Sequence, residues 1–536
     1  MLKEKRPSVA LFVVLGVLPS VLSADGLAPE RLRCEYLQNP QGIEETVPRL
    51  SWIVTSTQRG QKQTAYQILV ASSAKILAEN DGDLWDTGKV ESDETVNIPY
   101  DGRPLASRMM CYWKVRSWDK DREPSAWSAP AKWSMGLLDP ADWTARYISY
   151  KDDTPVYKDP KGHFLPAARQ YRKEFAASKE IKRATIYATT LGIFELHVNG
   201  KRVGDTLFAP GWTDYHQRAY YNTYDVTDLV RQGENAVGAW VADGWYSGYV
   251  GFGLLTGMGT EGIGRYIYGK TPSIMAQLEI EYTDGSHETI ATDRGWKVFG
   301  GGPIRQADFL MGEFYDARME TPGWTQPDFD DSKWNPAILA EENGFVKARF
   351  IQPRNPPPGQ PVRKVTEEIE LGFRRPPKLE AFPGDPVRPI EELKPIEITS
   401  PAKGAYIFNL GQNFAGIDYI DTVFFAYDAA LMSKMALDTG RETEYDKYTE
   451  LHDNVAKAFE KKYIKQDGSL TVDTQTAYAL ALFAGLVPAH LREAAGQRLA
   501  DKIIANDHRM ATGFLGTKPL LPVLSSSGTY RFRSPL

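Results

Sequence analysis

The stretch from residue 186 to 251 constrains this chain most, because its pattern switches every few residues between extended runs and turns. β-Branched and aromatic residues concentrate at 186–190, 193–198, 219–224 and 236–241, a composition that suits half-buried strands. Asn199-Gly200 separates the second run from residues 201–203. A two-residue type I′ turn needs positive φ at both central positions, and Asn-Gly adopts it with little strain. Residues 225–230, followed by Gly233-Glu234-Asn235, read as a short helical turn closed by glycine and then a new strand. Together these signals predict antiparallel sheet within a β-sandwich.

The turns of this stretch are crowded with Trp212, Asp214, Tyr215, Asp243, Trp245 and Tyr246. Aromatic faces beside hydrogen-bonding carboxylates suit a sugar, which has apolar C–H faces and a rim of hydroxyls. Asp214, Tyr215, Asp243 and Trp245 are therefore the candidate carbohydrate-binding residues. The competing reading is that they are core and corner packing, the commoner use of large aromatics.

The same stretch carries a resemblance. NGKRVGD, then APGWTDYHQRAYYNTYDVTDL, then GENAVGAWVADGWYSG, is similar to the N-terminal β-sandwich module of bacterial α-L-rhamnosidases, glycoside hydrolase family 78. The likeness continues through DGS at 284–286, GPIRQADFLMGEFYDAR at 302–318, Gly323-Trp324 and Trp334. The resemblance implies a jelly-roll-type β-sandwich over 138–337. It also implies hydrolysis of terminal α-L-rhamnosides with inversion, and rhamnose-containing glycans or glycosides as partners. No cofactor is required. Some relatives of the module bind rhamnose with calcium, so that ion is carried as an option, although no Ca²⁺ ligand set is legible.

Short strand-like segments at regular spacing before residue 137 (PRLSWIV, QTAYQILVAS, MCYWKVRSWD, AKWSMG) predict an immunoglobulin- or fibronectin-like sandwich over 25–137. Alternation in Tyr112 to Trp118 marks a half-buried strand. Residues 1–24 have the form of a secretory signal peptide: Lys3, Lys5 and Arg6, an apolar run over 9–22, then small residues up to Ala24. That run is short for a bilayer span, so the expectation is a secreted or periplasmic protein with no membrane anchor. A net charge of −6 provides no electrostatic reason to expect nucleic acid. Cys34 and Cys111 are the two cysteines; a disulfide and a pair of buried thiols both fit. No Cys/His spacing resembles a zinc site.

Residues 338–418 read as a Pro-rich linker and the start of a third sandwich, with extended rather than packed chain over 353–396. From Asp418 the pattern turns helical, with Val423, Phe424, Tyr427, Leu431 and Met435 at helical spacing. AYDAALMSKMALDTG, DGSLTVDTQTAYALAL and TGFLGT resemble late helices of the family's catalytic (α/α)₆ barrel, making 419–536 an incomplete helical remnant. The fold expected overall is multi-domain and mainly β, with that remnant at its C-terminal end.

An inverting glycosidase needs two carboxylates about 6.5–9.5 Å apart, one acid and one base. By family order the acid-bearing motif belongs between Gly416 and Tyr419, and the base beyond TGFLGT. Neither motif is found, so no catalytic residue is assigned, and an internally deleted, C-terminally truncated fragment is expected. All 13 tryptophans lie at or before Trp334, so a sugar pocket in the helical part would lack its best stacking side chain. Asp421, Glu442, Glu444, Asp446, Glu450, Asp453, Asp473 and Glu493 read as solvated surface. The function read from the chain is thus a member of the α-L-rhamnosidase family of doubtful activity. The alternatives are a non-catalytic carbohydrate-binding protein and a fragmentary gene product.

Overall fold

A computed structural model describes residues 26–154, 156, 165–354, 363–395, 397–402, 405–409, 417–506 and 508–526. The signal segment expected at 1–24, and residues 410–416 of the expected junction, lie outside the described residues. The fold is mainly β with a few C-terminal helices, and it divides into two compact units, one ending at Ile390 and one beginning at Glu391.

The first unit opens with a two-sheet sandwich. Ala28–Cys34, Arg49–Thr55 and Ile98–Pro99 form one sheet; Trp85–Asp86, Ala65–Ala71, Met110–Trp118 and Ala131–Ser134 form the other, in that order. Trp52, Trp113 and Trp133 fill the space between them. Cys34 and Cys111 are buried, unbonded thiols in the same core, which resolves the open alternative. The strand Met110–Trp118 buries one face wholly, through Cys111, Trp113, Val115 and Ser117, while on the other Met110, Tyr112 and Arg116 stay partly exposed and Lys114 and Trp118 are covered. The short helix Ala74–Ala78 covers its outer side, and Lys114 is buried there because its Nζ donates to the Leu77 carbonyl (2.7 Å) and to Asn80 (2.6 Å).

The second sandwich pairs two larger sheets. One runs Ile338–Leu339, Ile148–Ser149, Ser273–Tyr282, Ile181–Leu191, Arg218–Asp225, Lys378–Ala381. The other runs Lys201–Arg202, Ile193–Val198, Gly233–Ala242, Arg169–Ala177, Lys297–Phe299, Asn335–Pro336. Asn199 and Gly200 have φ of 49° and 80°, and Val198 pairs with Lys201, so the hairpin expected there is present. Alternate residues such as Ile186, Ala188, Val237 and Ala239 point into one shared core. Several contacts tie the sandwiches together. Leu137 N–H donates to the Tyr221 hydroxyl (3.0 Å), and Arg108 bridges Glu279 (2.7 Å) and Asp142 (2.6 Å). Burial works against the Asp142 charge, but the Ser107 and Arg108 hydrogen bonds outweigh it and hold this carboxyl below its ordinary range.

The reading of 353–396 as unpacked chain is corrected. Arg363–Gly372 is a ten-residue strand paired along its length with Phe345–Arg354. Lys378–Ala381 then joins the second sandwich, in parallel with Arg218–Asp225. Pro353 falls one residue from the end of its strand, opposite Lys364, and Pro376, Pro377, Pro383, Pro386 and Pro389 lie outside the strands, positions that cost a sheet little.

The second unit begins with a hairpin, Glu397–Ala402 against Ala405–Asn409, followed by helices Ile417–Asp438, Glu442–Tyr463, Gln475–Phe483, Arg492–Ala505 and Gly513–Ser526. Their core gathers Tyr419, Val423, Phe459, Tyr478, Leu480 and Leu499. Of the face its large side chains suggested, the first helix buries Val423 and packs Tyr427 against the core, but not the rest. Ala426, Ala429 and Ala436 turn inward, whereas Phe424, Leu431 and Met435 are exposed, Met435 by 61%. Small residues let neighbouring helices approach closely, and that contact decides the helix rotation. Among the described residues no helix is long and apolar enough to cross a membrane.

Candidate functional site

The strand Gly233–Ala242 ends in a sharp reversal at Asp243-Gly244. Gly244 has φ of 50°, and a Cβ there would lie 2.8 Å from the Gly192 carbonyl carbon, so only glycine fits the approach. The reversal starts the short helix Gly244–Ser247, which sends Tyr246 inward and leaves Trp245 half-buried.

Trp245 lies beside Trp212 with parallel rings (centroids 6.1 Å, 2° between planes). Phe309 packs against Trp245 at 4.4 Å, and Phe208 touches both Trp245 (6.4 Å) and Phe309 (5.3 Å). Trp212 and Phe208 are each 46% exposed. Three separate loops thus build one solvent-facing aromatic shelf. Trp212 Nε1–H points to the Tyr268 hydroxyl (3.3 Å), which fixes that ring.

The other three candidates stand differently. Asp214 is partly exposed, but its carboxylate accepts from His216 N–H (3.1 Å) and Gln217 Nε2 (2.7 Å), closing the turn that carries Trp212. Tyr215 is buried against Tyr246 and Tyr268, and its hydroxyl donates to the Gly211 carbonyl (3.2 Å). Burial raises that hydroxyl well above the ordinary tyrosine range.

Asp243 is buried and ion-paired with Arg265, which is wholly enclosed. Ser247 Oγ–H donates to Asp243 (3.1 Å), and Arg265 Nε–H donates to the Ser247 carbonyl (3.1 Å). The guanidinium lies over the rings of Tyr266 (4.7 Å) and Tyr249 (5.2 Å). Burial pushes the Asp243 carboxyl up to about 6 in spite of Arg265. For Arg265, burial opposes its charge, and Asp243 outweighs burial to hold it above its ordinary value. These contacts make Tyr215, Asp243 and Arg265 the support on which Trp245 is mounted.

The structure therefore brings Trp245 together with Trp212, and adds Phe208 and Phe309, which the sequence reading missed. Their signal was present only as aromatic residues in the loops LFAPGW and ADFLMG. No group of three or more His, Cys, Asp or Glu residues gathers as a metal site among the described residues. Asp243 is already neutralised by Arg265, so the residues around the shelf do not fit a calcium ion.

In the helical unit, all eight carboxylates named above are exposed. Asp473, for instance, pairs with Lys502 (2.8 Å).

Two sandwiches followed by a helical unit define a modular, mainly-β protein. Residues 29–139 match the Rha78A-like N-terminal immunoglobulin domain, 179–360 the alpha-L-rhamnosidase N-terminal domain, and 408–532 the bacterial alpha-L-rhamnosidase 6 hairpin glycosidase domain. The chain belongs to the bacterial α-L-rhamnosidase family. It is 31% identical over 542 residues to an alpha-L-rhamnosidase of Streptomyces avermitilis, covering 71% of this chain and 48% of that protein. It is 34% identical over 388 residues to one from an Alteromonas species, covering 72% and 38%. The chain thus spans about half or less of the length of these relatives.

Among solved structures it is similar to the Streptomyces avermitilis alpha-L-rhamnosidase complexed with L-rhamnose (TM-score 0.54, 24% identity, 94% of this chain and 84% of that one). It is similar also to the alpha-L-rhamnosidase from Dictyoglumus thermophilum (TM-score 0.53, 24% identity, 94% and 80%). At these identities the likeness concerns fold.

Proposed function

We propose that this polypeptide binds terminal α-L-rhamnosides through the aromatic shelf of its second sandwich and does not itself hydrolyse them. The observation that carries the reading is the Trp212–Trp245 pair with Phe208 and Phe309, in which Trp212 and Phe208 are exposed and Trp245 is half-buried. Such a surface takes the C–H face of a deoxy sugar whose methyl group adds apolar area. The exposed position of the eight carboxylates named in the helical unit supports the second half of the reading, because an acid and a base must face each other across an enclosed bond. The segment at 1–24 is read as an export signal, which would bring such a protein to extracellular glycans.

Calorimetry with L-rhamnose and an assay with 4-nitrophenyl α-L-rhamnoside test both halves. Rhamnose is expected to bind, Trp245→Ala to weaken it by about tenfold or more, and no nitrophenol to be released. Unchanged affinity in Trp245→Ala removes the shelf from the reading, and nitrophenol release overturns the non-catalytic half.

For the acid and base motifs not found in the sequence we propose an origin, an internal omission near residue 418. The match to the Streptomyces protein runs over 542 positions yet takes in only 71% of this chain of 536, which is the form of an alignment bridging a stretch missing here. Genomic DNA around codon 418 is expected to contain an in-frame segment left out of this sequence. Uninterrupted coding sequence there would count against it.

A further inference from the structure

We propose that Asp308 is the positioning residue of the aromatic shelf: its carboxylate latches the hairpin tip that carries Phe309 to the turn that carries Trp245. The proposal rests on the reading of the shelf as a rhamnoside-binding surface, and it assigns the group that assembles that surface.

The hairpin needs such a latch. Ile304–Asp308 pairs with Gly312–Tyr315 in a two-stranded ribbon that joins no larger sheet, and every residue of the second strand is exposed. A two-stranded ribbon is marginal in water by itself. Main-chain bonds to neighbouring segments hold its base: Ala168 N–H donates to the Ile304 carbonyl (3.2 Å), and Asp316 N–H to the Pro303 carbonyl (2.8 Å). Asp308 stands at the other end, opposite Gly312. The φ of +81° at Gly312 suits the close of a three-residue loop, here Phe309, Leu310 and Met311.

The two oxygens of Asp308 have separate tasks. Oδ1 accepts from Leu310 N–H (2.8 Å) and Met311 N–H (3.1 Å), which folds the loop. Oδ2 accepts from Tyr249 N–H (2.9 Å), 59 residues away in the chain. Tyr249 lies just past the helix Gly244–Ser247 that carries Trp245. Gly248 leaves room for the approach, since a Cβ there would fall 2.9 Å from Oδ2. With the loop held this way, the Phe309 ring rests 4.4 Å from Trp245.

A turn alone does not call for a carboxylate. Asn or Ser closes the same loop and would not set a second negative charge near Asp243, where Asp308 works against the ionised form. Aspartate adds an acceptor on each oxygen, and hydrogen bonds to an ionised acceptor are about twice as strong as neutral ones. The three donors are all backbone N–H groups of the two loops, so the carboxylate fixes one main chain against the other. A binding face spread over separate loops gains from this, because ordering a loose side chain on binding costs about 0.5–1.5 kcal/mol.

The experiment uses the full chain with 4-fluorophenylalanine in place of Phe309, so that fluorine NMR reads the Trp245 ring current at this ring. Trp245→Ala gives the resonance position without that current. Asp308→Asn leaves one oxygen, which serves either the loop or Tyr249 but not both, and Asp308→Ser closes the loop without reaching Tyr249. Each is expected to move the resonance at least halfway to its Trp245→Ala position and to leave the melting curve unchanged. Each is also expected to weaken L-rhamnose, measured by calorimetry, about fivefold. A resonance that stays in place in both variants, or a melting temperature lowered in both, would overturn the latch. A resonance that moves while rhamnose affinity holds would overturn its part in binding. An unsubstituted chain that takes no rhamnose removes the reading of the shelf, and the fluorine measurement then still decides whether Asp308 positions Phe309.

Discussion

Arg265→Leu is expected to lower the stability of the second sandwich by about 3–5 kcal/mol, the usual cost of leaving one member of a buried ion pair behind. Arg265 has no exposed surface and Asp243 only 4%. Removing the guanidinium strands a carboxylate that Ser247 alone then serves, and it deletes the cation stacked between Tyr249 and Tyr266. Urea denaturation followed by tryptophan fluorescence measures the loss, since Trp240, Trp245 and Trp296 all lie in this sandwich. The double replacement Asp243→Leu with Arg265→Leu is expected to recover a good part of it, because no charge remains to be solvated. A loss below about 1 kcal/mol in the single variant would mean that water reaches the pair. The effect should extend to rhamnose binding, since Asp243 begins the turn that carries Trp245.

Phe459→Ala is expected to destabilise the helical unit by about 3–5 kcal/mol. Its ring is fully buried and lies 5.2 Å from Tyr419 and 5.0 Å from Tyr463. Tyr419 in turn donates to the Ala477 carbonyl (2.8 Å), so three of the five helices share this contact. Circular dichroism at 222 nm reads the helices, and the second unit contains no tryptophan, so fluorescence serves as an internal reference for the first unit. A helical transition that stays in place would show that these aromatic rings repack around the cavity.

Much of the fold was legible because it is written in local chemistry. Asn199-Gly200 specifies its own turn, and the residues before it alternate in step with the pleat. What was not legible depends on partners far away in the chain. Lys378–Ala381 is too short to announce itself between proline clusters, and it is a strand because the edge of Arg218–Asp225 is there to receive it. The first helix of the second unit shows the same limit: of its large apolar residues Val423 and Tyr427 meet the core as expected, while Ala426, Ala429 and Ala436 turn inward in place of Phe424, Leu431 and Met435. In the candidate site, Trp245 was recognisable as an aromatic in a turn. Its pairing with Trp212 and Phe309 joins three loops. Asp243 looked available for a ligand because nothing local says that Arg265, 22 residues further on, has already taken it.

The two cysteines of the leading sandwich have a practical consequence. A thiol reacts as its thiolate, and burial raises both Cys34 and Cys111, the latter to about 12. Neither ionises appreciably at neutral pH, and neither side chain is open to reagent. A fluorophore or spin label directed to a new surface thiol, for example at Val96→Cys, where 59% of the residue is exposed, would therefore attach there in the otherwise unaltered protein. Distances from that point to a labelled sugar could then be measured without first engineering either natural cysteine away.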